Sequence, residues 1–190
     1  MAQGRTPCYH RHMQKRPFTV LALAAPLLLP LLPLLLAACN PTYNWRDYSS
    51  PDAPWRIMFP AKPATHTRSV DLNGMRVDMT MTAAEVEGVT FAVGTGVAPD
   101  AAQAQAAVAA MKAALVRNIG AKVEHESTAT AGMDAAVDID ALGTAQGQPM
   151  KLRGHFAAHG KRFYQVVVMG RADAVAPEHS DQFLSSFKPL

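Results

Sequence analysis

Cysteine is scarce in this sequence, which has two cysteines, Cys8 and Cys39, among 190 residues. Residues 40–190 therefore contain no thiol. This excludes a disulfide framework there, as well as a zinc site built on cysteine ligands. Phosphate-binding motifs are missing too, because residues 94–96 are too short for a dinucleotide fingerprint and no Walker motif occurs. We predict no cofactor.

Acidic residues are absent from residues 1–38, where four basic residues occur: Arg5, Arg11, Lys15 and Arg16. Without these four, the 18 Lys and Arg become 14 against 15 Asp and Glu, so residues 39–190 have a net charge of −1. Such a chain has no basic stripe to neutralise phosphates. We expect no nucleic-acid partner.

A long apolar run, rich in leucine and alanine, extends over residues 18–36. With the basic residues before it and the small residues after it, the run has the parts of an export signal. The alternative is an uncleaved transmembrane helix, since about 20 apolar residues span a bilayer. Pro26, Pro30 and Pro33 disfavour a straight helix, because each removes a backbone donor and crowds the preceding turn. We predict a signal peptide over residues 1–38 that is cleaved.

The tetrapeptide Leu36-Ala37-Ala38-Cys39 closes this run and resembles the lipobox of bacterial lipoprotein signal peptides. The resemblance implies cleavage before Cys39 and acylation of that residue, which would anchor the chain to a membrane of the bacterial envelope. Stable anchoring needs more than one acyl chain, and a bacterial lipoprotein carries two or three. By the same resemblance, Asn40 favours the outer membrane, with the domain facing the periplasm from the inner leaflet.

Residues 39–54 are predicted to form the lipidated cysteine and a tether, and residues 55–190 a single globular domain. The tether carries three aromatic residues: Tyr43, Trp45 and Tyr48. They have two interpretations. Aromatic rings of this kind suit lipid headgroups, or they pack on the domain as a first irregular strand. We favour packing on the domain.

Strand and turn patterns dominate the first half of the domain. Residues 55–59 predict a short strand, and Asn73-Gly74 predicts a two-residue type I′ hairpin turn. Apolar and polar residues alternate from residue 75 to residue 82, so this strand has one apolar face, followed by a strand at residues 89–93. A helix is predicted after Asp100, with Gln103 completing a capping box. Its apolar stripe consists of Ala104, Val108, Met111 and Leu115, and Gly120 fits its C-terminus.

Four more strands are predicted at residues 122–128, 135–141, 150–157 and 162–169, and a helix is predicted to begin at Pro177. Residues 163–168 are almost continuously apolar, which predicts a strand covered on both faces. We propose a hairpin register in which Asp140 faces Lys151 and Asp138 faces Arg153. The predicted class is α+β, an antiparallel β-sheet flanked by helices in a single domain.

Three segments in this order resemble the PsbP-like superfamily. They are the Phe59-Pro60 segment within residues 55–63, the strand segment at residues 160–166, and Phe183-Leu184-Ser185-Ser186-Phe187 near the end of the chain. The resemblance covers residues 55–190. It implies an α/β/α sandwich with roles in binding and assembly, and it implies no catalytic residue.

Several residues have the types needed for catalysis or metal binding. His179, Ser180 and Asp181 are the residue types of a serine-hydrolase triad, but neighbours on a helix point about 100° apart, so we predict no catalytic site. His155 and His159 lie on a strand and a turn without further ligands, so we predict no metal site.

Two further groups have side chains that could serve as metal ligands. Asp134, Asp138 and Asp140 share a strand face and have the chemistry for Ca²⁺ or acid–base work. Cross-strand pairing with basic residues is the preferred interpretation.

The second group consists of Met75, Met79 and Met81, which offer thioethers for Cu(I). We predict that they pack in the core instead.

The sequence thus predicts a lipid-anchored envelope protein that acts as a non-enzymatic binding or assembly module. Its expected partners are the membrane, through the N-terminal lipid, and an unidentified envelope protein. The alternative is a carrier of a small apolar ligand or lipid, in a slot beneath the alanine-rich helix.

Overall fold

The computed structural model describes residues 41–128 and 132–190. Residues 41–190 form one compact unit. The described residues form ten strands and two helices, which follow one another along the chain. They are β1 (Arg46–Ser49), β2 (Trp55–Phe59), β3 (Ala64–Leu72), β4 (Met75–Val86), β5 (Val89–Val97), α1 (Ala101–Asn118), β6 (Lys122–Thr128), β7 (Ala135–Ala145), β8 (Gln148–His159), β9 (Arg162–Arg171), α2 (Pro177–Ser186) and β10 (Lys188–Pro189).

Seven strands form the main sheet, in the order β3-β4-β5-β9-β8-β7-β6, and every neighbouring pair is antiparallel. The central strand β9 contains the apolar run at residues 163–168, and its side chains are buried on both faces of the sheet. The predicted double-sided burial of this strand is confirmed. The domain contains both helices and antiparallel sheets, which confirms the predicted α+β class.

Helix α1 covers one face of this sheet, packing mainly against β8, β9 and β7. Asp100 caps it as predicted, because the Asp100 carboxylate accepts hydrogen bonds from the Gln103 backbone N–H at 2.8 Å and from the Gln103 amide at 2.9 Å. The predicted stripe faces the sheet, with Ala104, Val108 and Met111 buried. The helix stops where Gly120 takes a positive φ of 56°.

The opposite face carries α2 and a small sheet of order β1-β2-β10. An aromatic core holds these layers together: the Phe59 and Phe91 rings each lie 5.4 Å from the Phe183 ring, between centroids. Trp55 is fully buried in the same core. Buried aromatic rings of this size contribute much of the apolar area that a small domain removes from water.

The predicted tether at residues 39–54 is corrected for the part that the structure describes. Strand β1 pairs with β2 along its whole length, and Tyr43, Trp45 and Tyr48 pack against the aromatic core. Packing on the domain, the favoured interpretation of these rings, is therefore confirmed. The domain therefore begins well before residue 55. Packing on the core removes apolar surface of the three rings from water, which stabilises this arrangement.

The proposed register of the β7–β8 hairpin is wrong by two residues. Asp140 lies opposite Arg153 rather than Lys151, and Asp138 lies opposite His155 rather than Arg153. The cause is the turn, Gln146-Gly147, in which both residues have positive φ, 51° and 76°. This is the geometry that a two-residue hairpin demands, and it fixes the pairing. The Asn73-Gly74 turn has the same geometry and is confirmed, with φ values of 55° and 87°.

Candidate functional site

A slot of about 330 Å³ opens between α1 and the main sheet. Helix α1 lies over β7, β8 and β9, so the part of the same face formed by β4 and β5 is only partly covered. The C-terminal half of the helix forms one wall through Met111, Ala114 and Leu115, and strands β3, β4, β5 and β9 form the other wall. Most of the lining is apolar.

Four methionines converge on this slot: Met79, Met81, Met111 and Met169. Met79 and Met111 are buried, whereas Met81 and Met169 are partly exposed. Two of these side chains end over Gly94. A Cβ built there would overlap Met79 Cε and would lie 2.5 Å from Met81 Sδ. The missing side chain at position 94 is therefore what makes room for both thioether ends.

The prediction that Met75, Met79 and Met81 pack in the core is confirmed for Met79, which is buried in the apolar cluster beneath α1, whereas Met75 and Met81 are partly buried and pack against that cluster. What the sequence did not show is that two of the three also border an open slot. Methionine has three rotatable bonds and a polarizable sulfur, so a wall of methionines adapts to different apolar shapes.

Gln165 is one of the polar residues that line the slot, together with Arg68, Asp71, Thr90 and Asn118. It stands on the central strand β9, between Gly94 of β5 and Phe156 of β8, and it is half-buried. Among the described residues, its amide makes no hydrogen bond. Sequence reasoning missed this residue, although a signal was present: Gln165 is the polar residue that interrupts the apolar run at residues 163–168.

A polar cleft of about 600 Å³ lies on the other face of the sheet, beside α2. Arg153 binds three groups there, with Nε donating to Asp140 at 2.8 Å and one terminal nitrogen donating to Ser180 at 3.0 Å and to Asp181 at 2.5 Å. Burial alone lowers the pKa of the Arg153 guanidinium. The hydrogen bonds and charges of Asp181 and Asp140 outweigh that effect and raise this pKa above its usual range.

The remaining aspartates are also engaged. Asp138 contacts His155 Nδ1 at 2.6 Å, and the Asp134 carboxylate accepts a hydrogen bond from the Gly160 backbone N–H at 2.6 Å. The expectation of a basic cross-strand partner is confirmed for Asp140, which pairs with Arg153, whereas Asp138 contacts His155, as the corrected register requires. The cleft is therefore lined largely by groups that already satisfy one another.

The side chains of His179, Ser180 and Asp181 point to different neighbours, as predicted. The His179 ring stacks on Tyr43 with centroids 3.8 Å apart. The Ser180 hydroxyl donates to the Ala176 carbonyl at 2.7 Å, and Asp181 accepts from Arg153. The three groups do not form the relay that a serine nucleophile requires.

His155 and His159 have different surroundings. His155 contacts Asp138, whereas His159 is exposed at the end of β8, opposite Arg162 in the strand register. Within residues 41–128 and 132–190, no group of three or more His, Cys, Asp and Glu side chains is arranged to hold a metal ion.

The predicted lipidation residue Cys39 and the lipobox residues Leu36, Ala37 and Ala38 lie outside the described residues. Neither helix in the described part of the chain has both the length and the apolar character needed to cross a bilayer.

Comparison with protein-family models and with curated proteins finds no match for this chain. Among solved structures, it aligns with a protein of unknown function, PA94, from Pseudomonas aeruginosa. The alignment has 16% sequence identity, covers 72% of this chain and 88% of that chain, and gives a TM-score of 0.35. Values this low assign neither a fold family nor a function.

Proposed function

We propose that this protein is a lipid-anchored, non-enzymatic binding module of the bacterial envelope, and that the slot beneath α1 binds a small apolar ligand. The slot carries the proposal, because it is a largely apolar, methionine-lined opening at the edge of the core that α1 covers. A volume of about 330 Å³ falls at the small end of the range typical of ligand pockets.

The lipid anchor is supported by the sequence before the domain. Leu36, Ala37 and Ala38 precede Cys39 at the end of an apolar run with basic residues ahead of it. Acylation of Cys39 would hold the slot near a bilayer surface, where apolar molecules concentrate. We place the protein at the outer membrane, with its domain in the periplasm.

A PsbP-like fold is the finer architecture that we propose. Helix α1 covers one face of the antiparallel sheet, and α2 covers the other. The three segments that carry the resemblance also meet in one place, since Phe59, Tyr164 and Phe183 are all buried in the aromatic core. Shared burial gives a physical reason for these segments to occur together in one sequence.

The test uses the full acylated chain in phospholipid nanodiscs, with carbon-13-labelled methionine methyl groups observed by NMR. The probe is N-phenyl-1-naphthylamine, an apolar dye. We expect its addition to shift the methyl signals of Met79, Met81, Met111 and Met169, the four that line the slot. The signals of Met58 and Met150, which lie elsewhere in the structure, should stay in place.

Two matched variants make the test specific. Ala114 points into the slot, whereas its neighbour Ala113 is exposed to solvent on the same helix. Ala114→Leu should obstruct the slot and abolish the shifts, and Ala113→Leu should leave them unchanged. Equal effects of the dye on all methionines, or on both variants, would exclude binding in the slot.

Assembly with an envelope protein is a second candidate function, favoured by strand β3. This nine-residue edge strand pairs on one side only and is exposed along most of its length. The other edge, β6, is protected by an irregularity between Val123 and His125. We expect Ser69→Lys on β3 to remove a co-purifying partner and Thr128→Lys on β6 to retain it. Equal recovery of the partner by both variants would exclude β3 as the contact.

A further inference from the structure

An arginine stands in the row of β3 side chains that borders the slot. Successive side chains of a strand point to opposite faces, so Arg68 shares its face with Val70 and Leu72, which also line the slot. In the strand register Arg68 lies opposite Met79, which is only 6% exposed. Since β3 is the edge strand and Arg68 is exposed, a permanent positive charge lies between the apolar wall and water.

No acidic side chain stands beside this charge on the slot face. Its neighbours there, along β3 and across on β4, are His66, Val70, Val77, Met79 and Met81. Among the described residues, the Arg68 guanidinium takes part in no ion pair. The N–H donors of this guanidinium are therefore open to a ligand.

Asp71 is the acidic residue that also lines the slot, but its carboxylate is already engaged. It accepts a hydrogen bond from the Gly74 backbone N–H at 2.7 Å, within the hairpin turn. Asp71 alternates with Val70 and Leu72 along β3 and lies opposite Arg76, so its side chain belongs to the other face of the sheet. The charge presented to the slot by β3 is therefore positive.

This arrangement suits a molecule with an apolar body and an anionic head. An apolar chain that enters the slot is removed from water along the methionine wall. A carboxylate at Arg68 accepts parallel hydrogen bonds from the planar guanidinium. Because Arg68 lies at the exposed edge, the head keeps contact with water and avoids most of the cost of burying a charge.

We infer that the ligand is a single-chain carboxylate, the anion of a medium-chain fatty acid, with its head on Arg68 and its chain along the methionines. This inference rests on the proposed binding function of the slot. It adds the class of the ligand and the residue that recognises the ligand head.

The experiment measures binding to the full acylated chain in phosphatidylcholine nanodiscs at neutral pH, through the same methionine methyl signals. The probes are octanoate and octanamide, which share their chain length and differ in head charge. Exposed ion pairs are weak, so we expect octanoate to bind roughly fivefold more tightly than octanamide. Added salt should narrow this difference, because it screens the charge.

Arg68→Gln should bind octanoate no more tightly than octanamide, while its binding of N-phenyl-1-naphthylamine stays unchanged. Arg76→Gln is the matched control, because it removes the same charge from the other face of the sheet, where Arg76 lines a different cleft. It should bind octanoate as the wild type does. Arg68→Glu should reverse the preference, so that octylammonium binds more tightly than octanoate, a gain that damage to the fold does not produce.

The two proposals fail in different ways. If the dye does not move the slot methyls of the wild type, the binding function fails and this inference falls with it. If the dye binds but Arg68→Gln keeps the preference for octanoate, or Arg76→Gln loses it equally, only the assignment of an anionic head to Arg68 is overturned. Self-association of Arg68→Gln with unchanged octanoate binding would show that Arg68 protects the edge strand instead.

Discussion

Ala114→Leu tests whether the slot beneath α1 is open space, because the sign of its effect on stability depends on the answer. Leucine adds three carbons at a partly buried position in the slot wall. Each fully buried methylene contributes about 0.8 kcal/mol, which sets a ceiling of about 2.4 kcal/mol. Partial exposure and a side-chain entropy cost of about 0.5–1 kcal/mol reduce the gain to about 1 kcal/mol. Alanine and leucine have similar helix propensities, so packing decides the outcome.

Two other alanines of α1 supply the contrast. Ala107 is 1% exposed against the sheet, and Ala107→Leu should destabilise by about 1–3 kcal/mol through overpacking. Ala113 is exposed, and Ala113→Leu should stay within about 0.5 kcal/mol of the wild type.

The assay for these variants is guanidinium unfolding followed by tryptophan fluorescence, since Trp45 and Trp55 both belong to the aromatic core. A loss of stability in Ala114→Leu comparable to that of Ala107→Leu would mean that the slot is closed by packing. The proposed binding site would then have to be abandoned.

Three further predictions concern the turn, the helix cap and the anchor. Gly147→Ala should destabilise the protein by about 1–2 kcal/mol in guanidinium unfolding, because alanine disfavours the φ of 76°. Gln146→Asn should stabilise the turn in the same assay. A more stable Gly147→Ala and a less stable Gln146→Asn would contradict the register. Hydrogen bonds from the backbone and side chain of Gln103 lower the pKa of Asp100 below its ordinary value of 3.8. The folded state therefore gains stability above that value and loses it as pH falls through the lowered pKa. Acid unfolding should show this loss in the wild type but not in Asp100→Asn, and identical acid profiles would disprove it. Finally, Cys39→Ser should not incorporate radiolabelled palmitate in bacteria, and labelling equal to the wild type would exclude that residue as the lipidation site.

Local chemistry explains why much of the fold was predictable. The Asn73-Gly74 turn and the Asp100 cap each depend on a few neighbouring residues whose conformational preferences need no tertiary context. The apolar run in β9 was equally informative, because a strand without a polar face must be covered twice.

The β7–β8 register shows where pattern reasoning fails. A shift of two residues keeps every side chain on its own face of the sheet, so both registers bury the same apolar set. Alternation therefore cannot distinguish them. The Gln146-Gly147 turn distinguishes them, since glycine accepts the positive φ of the second turn position. Turn chemistry is therefore a stronger guide to this register than charge pairing.

The slot was only partly predictable. The sequence predicts a slot beneath the alanine-rich helix as one alternative, but the position of the slot depends on how far α1 lies to one side of the sheet. That displacement is a property of long-range packing. Neither the convergence of Met111 and Met169 with Met79 and Met81 nor the exposure of Gln165 to the slot follows from local sequence.

Native mass spectrometry of the protein extracted from bacterial membranes examines the anchor and the slot together. We expect a chain that begins at Cys39 with its acyl groups attached and that carries a small bound molecule. Ala114→Leu should lack this molecule, and Ala113→Leu should retain it. An unacylated chain, or the same bound molecule in both variants, would contradict the proposed lipid-anchored binding module.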